Sequence, residues 1–119
     1  MPRSLLSAVV AFGCVIGMSR TVSAQDAVQK GSALFASQKC TMCHSIAGKG
    51  NKKGELDDVG ARLTADEIRH WLTNPDEMRE KTKATRTPPM KDPKLSKDQV
   101  DALVAFLVAQ KSGHADDSR

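Results

Sequence analysis

The chain has 119 residues, enough for one small domain; 39% of them are hydrophobic and only 3% are aromatic. A hydrophobic core of this size is marginal without a staple or a cofactor, because small domains bury a smaller fraction of their surface. The 18 Lys and Arg exceed the 14 Asp and Glu only slightly, so the charge balance does not indicate a protein that binds nucleic acid.

Residues 1 to 24 have the pattern of a secretory signal peptide. Arg3 provides the positive n-region, residues 5 to 18 are apolar and uncharged, and Val22-Ser23-Ala24 fits a cleavage site. We therefore expect export to the periplasm and cleavage after Ala24. A retained N-terminal membrane anchor is the alternative, although the apolar run is short for a full span. Acylation of Cys14 is disfavoured, because this residue lies inside the apolar run.

The first helix of the expected mature chain is predicted from about 27 to 38. Asp26 and Gln29 form the N-cap and capping pair that would open it. Gly31 lies on its apolar face and lowers helix stability, which indicates that another helix approaches closely there. The alternative is a glycine that the helix merely tolerates.

Cys40-Thr41-Met42-Cys43-His44 follows this helix and reads C-x-x-C-H, the attachment signature of a c-type haem. Two thiols on one tight turn can each add to one vinyl group of the porphyrin, and the adjacent His44 can bind the iron. The C-x-x-C pair alone would also fit a thioredoxin-like redox pair or half a zinc site. The adjoining His favours haem, and no second motif occurs, so the sequence predicts one haem.

The remaining elements are predicted from capping signals. Residues 47 to 60 form a loop with four glycines that lacks the context of a phosphate-binding loop. Thr64 and Ser96 open capping boxes, which predict a short helix through Leu72 and a final helix to about residue 111. Asn74-Pro75 ends the former and begins another short helix. Residues 81 to 94 are predicted to be irregular, and residues 112 to 119 to be a flexible tail.

Met90 is the best candidate for a second iron ligand. It lies in Thr87-Pro88-Pro89-Met90-Lys91, where prolines restrict the loop and polar neighbours argue against an ordinary core methionine. Met78 is expected to pack in the core, and His70 to be exposed. His114 lies in the tail, and Met42 is not expected to reach the iron.

On these residues the chain resembles the class I cytochromes c, which carry one haem with His and Met ligands. The likeness covers nearly the whole expected mature chain. It rests on the C-x-x-C-H motif, on Met90 and on three further segments: Gly31 with Phe35, Trp71-Leu72-Thr73-Asn74-Pro75, and Phe106-Leu107.

The resemblance implies an all-α fold over residues 25 to 111, with three to five short helices around one covalently bound haem c. Cys40 and Cys43 would hold the haem, and His44 and Met90 would bind its iron. The N- and C-terminal helices would cross, with Gly31 and Phe35 against Leu103 and Phe106.

Two details of this resemblance concern the surroundings of the haem. Many family members have Gly-Pro after the motif, and the Pro carbonyl accepts the N–H of the His ligand. Here Gly54-Glu55 occupies that region, so we expect the Glu55 carbonyl to serve. Gly60-Ala61-Arg62 resembles a segment that contacts a haem propionate, and the Trp71 N–H can assist there or simply pack.

The resemblance implies a periplasmic one-electron carrier of a respiratory chain, not an enzyme, since a filled coordination sphere leaves no site for a small-molecule substrate. Its partners would be donor and acceptor proteins, including membrane-bound respiratory complexes, and not nucleic acid. Alternatives are a haem subunit of a larger dehydrogenase or oxidase, a ligand-binding haem sensor, and a haem-free thiol oxidoreductase. Five basic residues around Met90 form either a docking patch or an ordinary solvated loop: Lys81, Lys83, Arg86, Lys91 and Lys94.

Overall fold

The computed structural model describes residues 21 to 111. The predicted n-region and apolar run of the leader, and the predicted tail with His114, lie outside the described residues. Helices dominate the described range, which confirms the expected all-α class. Their bounds are Thr21–Ser37 (α1), Val59–Arg62 (α2), Ala65–Thr73 (α3), Pro75–Thr82 (α4) and Lys97–Val108 (α5).

Helix α1 begins earlier than predicted. Asp26 lies inside the helix, so its prediction as the N-cap was wrong. No proline or glycine separates Thr21 from Asp26, and the intact chain therefore continues the helix towards its N-terminus. Cleavage after Ala24, which stays a prediction, would remove the first turn of this helix.

Helices α1 and α5 cross closely, as expected, and Gly31 lies at the contact. A Cβ at this position would collide with the carbonyl oxygen of Ala102 and the Cβ of Phe106. The glycine is therefore required by packing, although it faces Ala102 rather than the expected Leu103. Phe35 packs on Phe106 beside it, with ring centroids 5.8 Å apart and planes tilted by 56°.

Both predicted capping boxes are confirmed. The Thr64 and Ser96 side chains each accept a backbone N–H three residues later, from Glu67 and Gln99 respectively, and both partners return the bond to the cap N–H. Asn74 lies between α3 and α4, where its amide donates to Glu77 at 2.6 Å instead of capping a backbone group. Helix α5 ends at Val108, three residues before the predicted end.

The region predicted as a loop contains short regular elements. Strands Ser45–Ile46 (β1) and Lys49–Gly50 (β2) form an antiparallel hairpin, and a 3₁₀ turn follows at Lys52–Gly54. Two residues per strand give almost no hydrophobic alternation, which explains why the pattern did not predict them. Within residues 21 to 111, no helix is long and apolar enough to cross a membrane.

Candidate functional site

A cavity of about 740 Å³ is lined by residues of all five helices and of the segments between them. The four residues singled out from the sequence, Cys40, Cys43, His44 and Met90, all line it. Most of the other lining side chains are apolar, and six of them belong to the buried hydrophobic core: Phe35, Val59, Ile68, Leu72, Leu103 and Leu107. A large apolar cavity with a few convergent polar groups is typical of a cofactor site.

The C-x-x-C-H motif forms a tight turn at the mouth of this cavity. Lys39 adopts a left-handed conformation at φ 59°, which ends the path of α1, and Cys40–Met42 form a 3₁₀ turn. The Cys43 and His44 N–H groups both donate to the Cys40 carbonyl, at 3.1 and 2.9 Å. This turn places both free thiols on the cavity wall; Cys40 is half-buried and Cys43 is exposed. Burial raises the pKa of the Cys40 thiol.

The ring of His44 is held by one hydrogen bond. Its Nδ1 lies 3.0 Å from the carbonyl oxygen of Gly54, so the expectation of Glu55 was wrong by one residue. The register explains the difference. Ser45 pairs with Glu55, and the Leu56 N–H donates to the Ser45 carbonyl at 2.9 Å, which sets the preceding residue, Gly54, beside His44.

This hydrogen bond fixes the tautomer of His44. A carbonyl oxygen can only accept, so Nδ1 carries the proton and Nε2 keeps a lone pair. Burial lowers the pKa of His44, the bond to Gly54 partly opposes this, and the charge of Arg86 adds to the lowering. The imidazole is thus neutral at pH 7, with Nε2 ready to bind a metal.

Met90 lines the same cavity but lies far from the C-x-x-C-H motif in sequence. It lies in residues 85 to 95, here called the Met90 segment, which contains three prolines and no helix or strand. The side chain is half-buried and packs against the core cluster.

The other candidate ligands lie elsewhere. Met78 is buried but does not line the cavity, and His70 is half-exposed and lies 3.2 Å from Glu77. Met42 is 69% exposed and is likewise absent from the cavity wall. Among the described Met and His residues, only His44 and Met90 line the cavity.

The charged residues of the cavity wall are all cationic. They are Lys39, Arg62, Arg79, Arg86 and Lys91, and no carboxylate of the described chain lines the cavity. This arrangement favours a ligand that is apolar in its body and carries negative charge at its edge. Arg62, which the resemblance associates with a haem propionate, and Trp71, which was expected to assist there or to pack, both line the cavity.

Sequence reasoning missed Arg79, and for Arg86, placed either in a docking patch or in a solvated loop, it missed the contact with the Cys43 carbonyl. Arg79 could have been found from helical spacing, since it lies four residues after the buried Pro75 and one after the buried Met78. No local signal marks Arg86, because its contacts depend on the path of the Met90 segment.

Comparison with known proteins identifies the family. Residues 28–111 match the family model described as Cytochrome c, which covers more than half of the chain. The chain therefore belongs to the cytochrome c family. Neither the curated proteins nor the solved structures gave a match.

Family membership implies covalently attached haem c with its iron and a function in electron transfer. The cavity fits this group. Its apolar wall suits the porphyrin, its cations suit the two propionates, and two thiols beside a neutral imidazole suit thioether attachment and iron binding.

Proposed function

We propose that this member of the cytochrome c family is an exported, periplasmic one-electron carrier whose single haem iron is bound by His44 and Met90. One observation carries the proposal: His44 and Met90 line the same cavity from separate parts of the chain. The hydrogen bond from His44 Nδ1 to Gly54 supports it, because this bond leaves Nε2 as the metal-binding atom.

The bound haem supplies one-electron redox chemistry, and the residues of the chain tune and protect it. Cys40 and Cys43 hold the porphyrin through thioether bonds, and the apolar wall excludes water. An apolar surrounding disfavours the additional positive charge of the ferric state, and a thioether ligand favours the ferrous state. Two protein ligands leave no open coordination position, so we propose a carrier and not an enzyme.

The visible spectrum tests this ligand set. The protein is made with c-type maturation and recorded as ferric, as ferrous, and as ferrous with carbon monoxide. Sharp low-spin ferrous bands, the weak red iron–thioether band of the ferric form and no response to carbon monoxide are expected. A large shift with carbon monoxide would indicate an open position and favour a sensor, and a protein without haem bands would remain a dithiol.

Export and partners need separate measurements. The mass of the protein recovered from the periplasm should correspond to a chain that begins at Gln25. A free carrier should purify alone, whereas a subunit of a dehydrogenase or oxidase should copurify with a larger complex. The purification result thus distinguishes a free carrier from a haem subunit of a larger complex.

We also propose that a smaller basic patch than the sequence suggested docks acidic partner proteins. Lys94 is paired with Asp92 at 2.9 Å, and Arg86 donates to a backbone carbonyl, so neither is freely available. Lys81, Lys83 and Lys91 remain exposed near the Met90 segment. Electron-transfer rates should therefore fall steeply with ionic strength. A flat dependence would make this an ordinary solvated segment.

A further inference from the structure

Arg86 connects two distant parts of the chain. Its guanidinium Nη2 donates to the carbonyl oxygen of Cys43 at 2.5 Å, across 43 positions of sequence. Among the described residues 21 to 111, this is the only hydrogen bond that joins the Met90 segment to another part of the chain. The segment is otherwise held by apolar contacts of residues such as Met90 and Leu95 with the core.

The contact lies directly beside the residue that orients His44. A Cβ on Gly54 would collide with both the Arg86 guanidinium and the Cys43 carbonyl, so only glycine allows the three groups to meet. The carbonyl of the same Gly54 accepts from His44 Nδ1. Arg86 therefore packs against the backbone that holds one iron ligand, while its own segment carries the other.

The charge of Arg86 has no acidic partner. Within the part of the chain that the structure describes, the ion pairs involve other cations, and Arg86 forms none. A planar guanidinium with several donors suits a fixed bond to a carbonyl better than a lysine ammonium does. Arg86 thus holds a positive charge near His44, and no carboxylate of the described chain is paired with it.

We propose that Arg86 is a positioning residue that fastens the Met90 segment to the C-x-x-C-H turn and so keeps Met90 on the iron. This inference rests on the proposed His44 and Met90 ligation. Without the bond, the segment should open more often and expose the iron to competing ligands. Without the fixed cation, the ferric state should be less disfavoured, so the reduction potential should fall.

The test compares Arg86→Gln, Arg86→Lys and the control Lys81→Gln in the mature holoprotein. Lys81 is exposed on α4 and forms no ion pair in the described chain, so its removal changes net charge equally without breaking a contact. The first measurement is the affinity of the ferric form for imidazole, monitored by the loss of the iron–thioether band. The second is the reduction potential. Hydrogen exchange of residues 85 to 95 gives a third measurement that does not depend on redox chemistry.

Arg86→Gln should bind imidazole about 3- to 10-fold more tightly than wild type, as expected for the loss of one exposed hydrogen bond. Its exchange over residues 85 to 95 should be faster, and its potential lower than that of Lys81→Gln. Arg86→Lys should keep the potential near the wild-type value but show part of the increase in imidazole binding.

Three results would contradict the inference in distinguishable ways. In the first, the wild-type protein shows the iron–thioether band, but Arg86→Gln equals Lys81→Gln in imidazole binding, hydrogen exchange and reduction potential. This would overturn the role of Arg86 and leave the proposed ligation intact. A wild-type ferric spectrum without the thioether band would overturn this role together with the proposed ligation. If Arg86→Gln fails to retain haem, the conservative variant Arg86→Lys provides the test. Should Arg86→Lys equal the wild type in imidazole binding and hydrogen exchange, the proposed role of the Arg86 hydrogen bond would be wrong.

Discussion

Replacing Gly31 with Ala should destabilise the folded protein, although alanine is the better helix former. The substitution gains about 1 kcal/mol in helix propensity. The added Cβ, however, meets the Ala102 carbonyl oxygen and the Phe106 Cβ, neither of which can rotate away. Overpacking costs about 1 to 3 kcal/mol, and we expect a cost near the upper value because the contacting atoms are rigid. The expected net loss is therefore about 2 kcal/mol in the free energy of unfolding.

Guanidinium chloride unfolding of the ferric holoprotein measures this loss, with helical circular dichroism and haem absorbance followed together. Coincident transitions justify a two-state treatment, and an unchanged m-value shows that the midpoint shift reports stability. Ser32→Ala is the matched control, since it lies next along α1 with its side chain exposed and should be neutral or slightly stabilising. A Gly31→Ala variant as stable as wild type, or more stable, would refute the close approach of α1 and α5.

Three further predictions concern the ligand, a charge cluster and the cofactor. Met90→Ala should lose the iron–thioether band and bind carbon monoxide in the ferrous form, whereas Met78→Leu should keep the wild-type spectrum, because Met78 is buried away from the cavity. Hydrogen bonds from Lys97 and then Arg69 lower the pKa of Asp101. The folded state therefore favours the ionised form of Asp101. The difference in unfolding free energy between wild type and Asp101→Asn should be constant near neutral pH and shrink as the pH falls below 3.8, the unperturbed pKa of an aspartic acid. A difference that does not change with pH would contradict this prediction. The chain expressed without haem attachment should show no cooperative unfolding by circular dichroism, and a cooperative haem-free form would count against a haem-dependent core.

Features decided by neighbouring residues were predictable from the sequence. The capping boxes at Thr64 and Ser96 depend on four consecutive residues, and both formed as expected. The C-x-x-C-H turn is equally local, since its thiols and imidazole lie within five residues. The position of Gly31 on the apolar face of a helix is also local; it favoured close packing over a merely tolerated glycine, and the structure supplied the partner helix.

Features decided by register between distant segments were not predictable. The acceptor for His44 moved from Glu55 to Gly54 because a single bridge between Ser45 and Glu55 sets the alignment. Arg86 is exposed, as the sequence predicted, but nothing near it in sequence indicates that the Cys43 carbonyl is its partner. The predicted start of α1 was wrong for a different reason: a residue suited to an N-cap, such as Asp26, does not prevent a helix from beginning earlier.

The hydrophobic core and the cofactor cavity of this protein share a set of side chains. Phe35, Ile68, Leu72, Leu103 and Leu107 belong to the core cluster and also line the cavity. A domain with few aromatic residues therefore does not bury these side chains against one another alone but completes its core with the haem. Helical stripes that predicted the core therefore also include part of the cavity wall, such as Ile68, Leu103 and Leu107. The polar contacts around His44 and of the Met90 segment, which depend on long-range register, needed the structure.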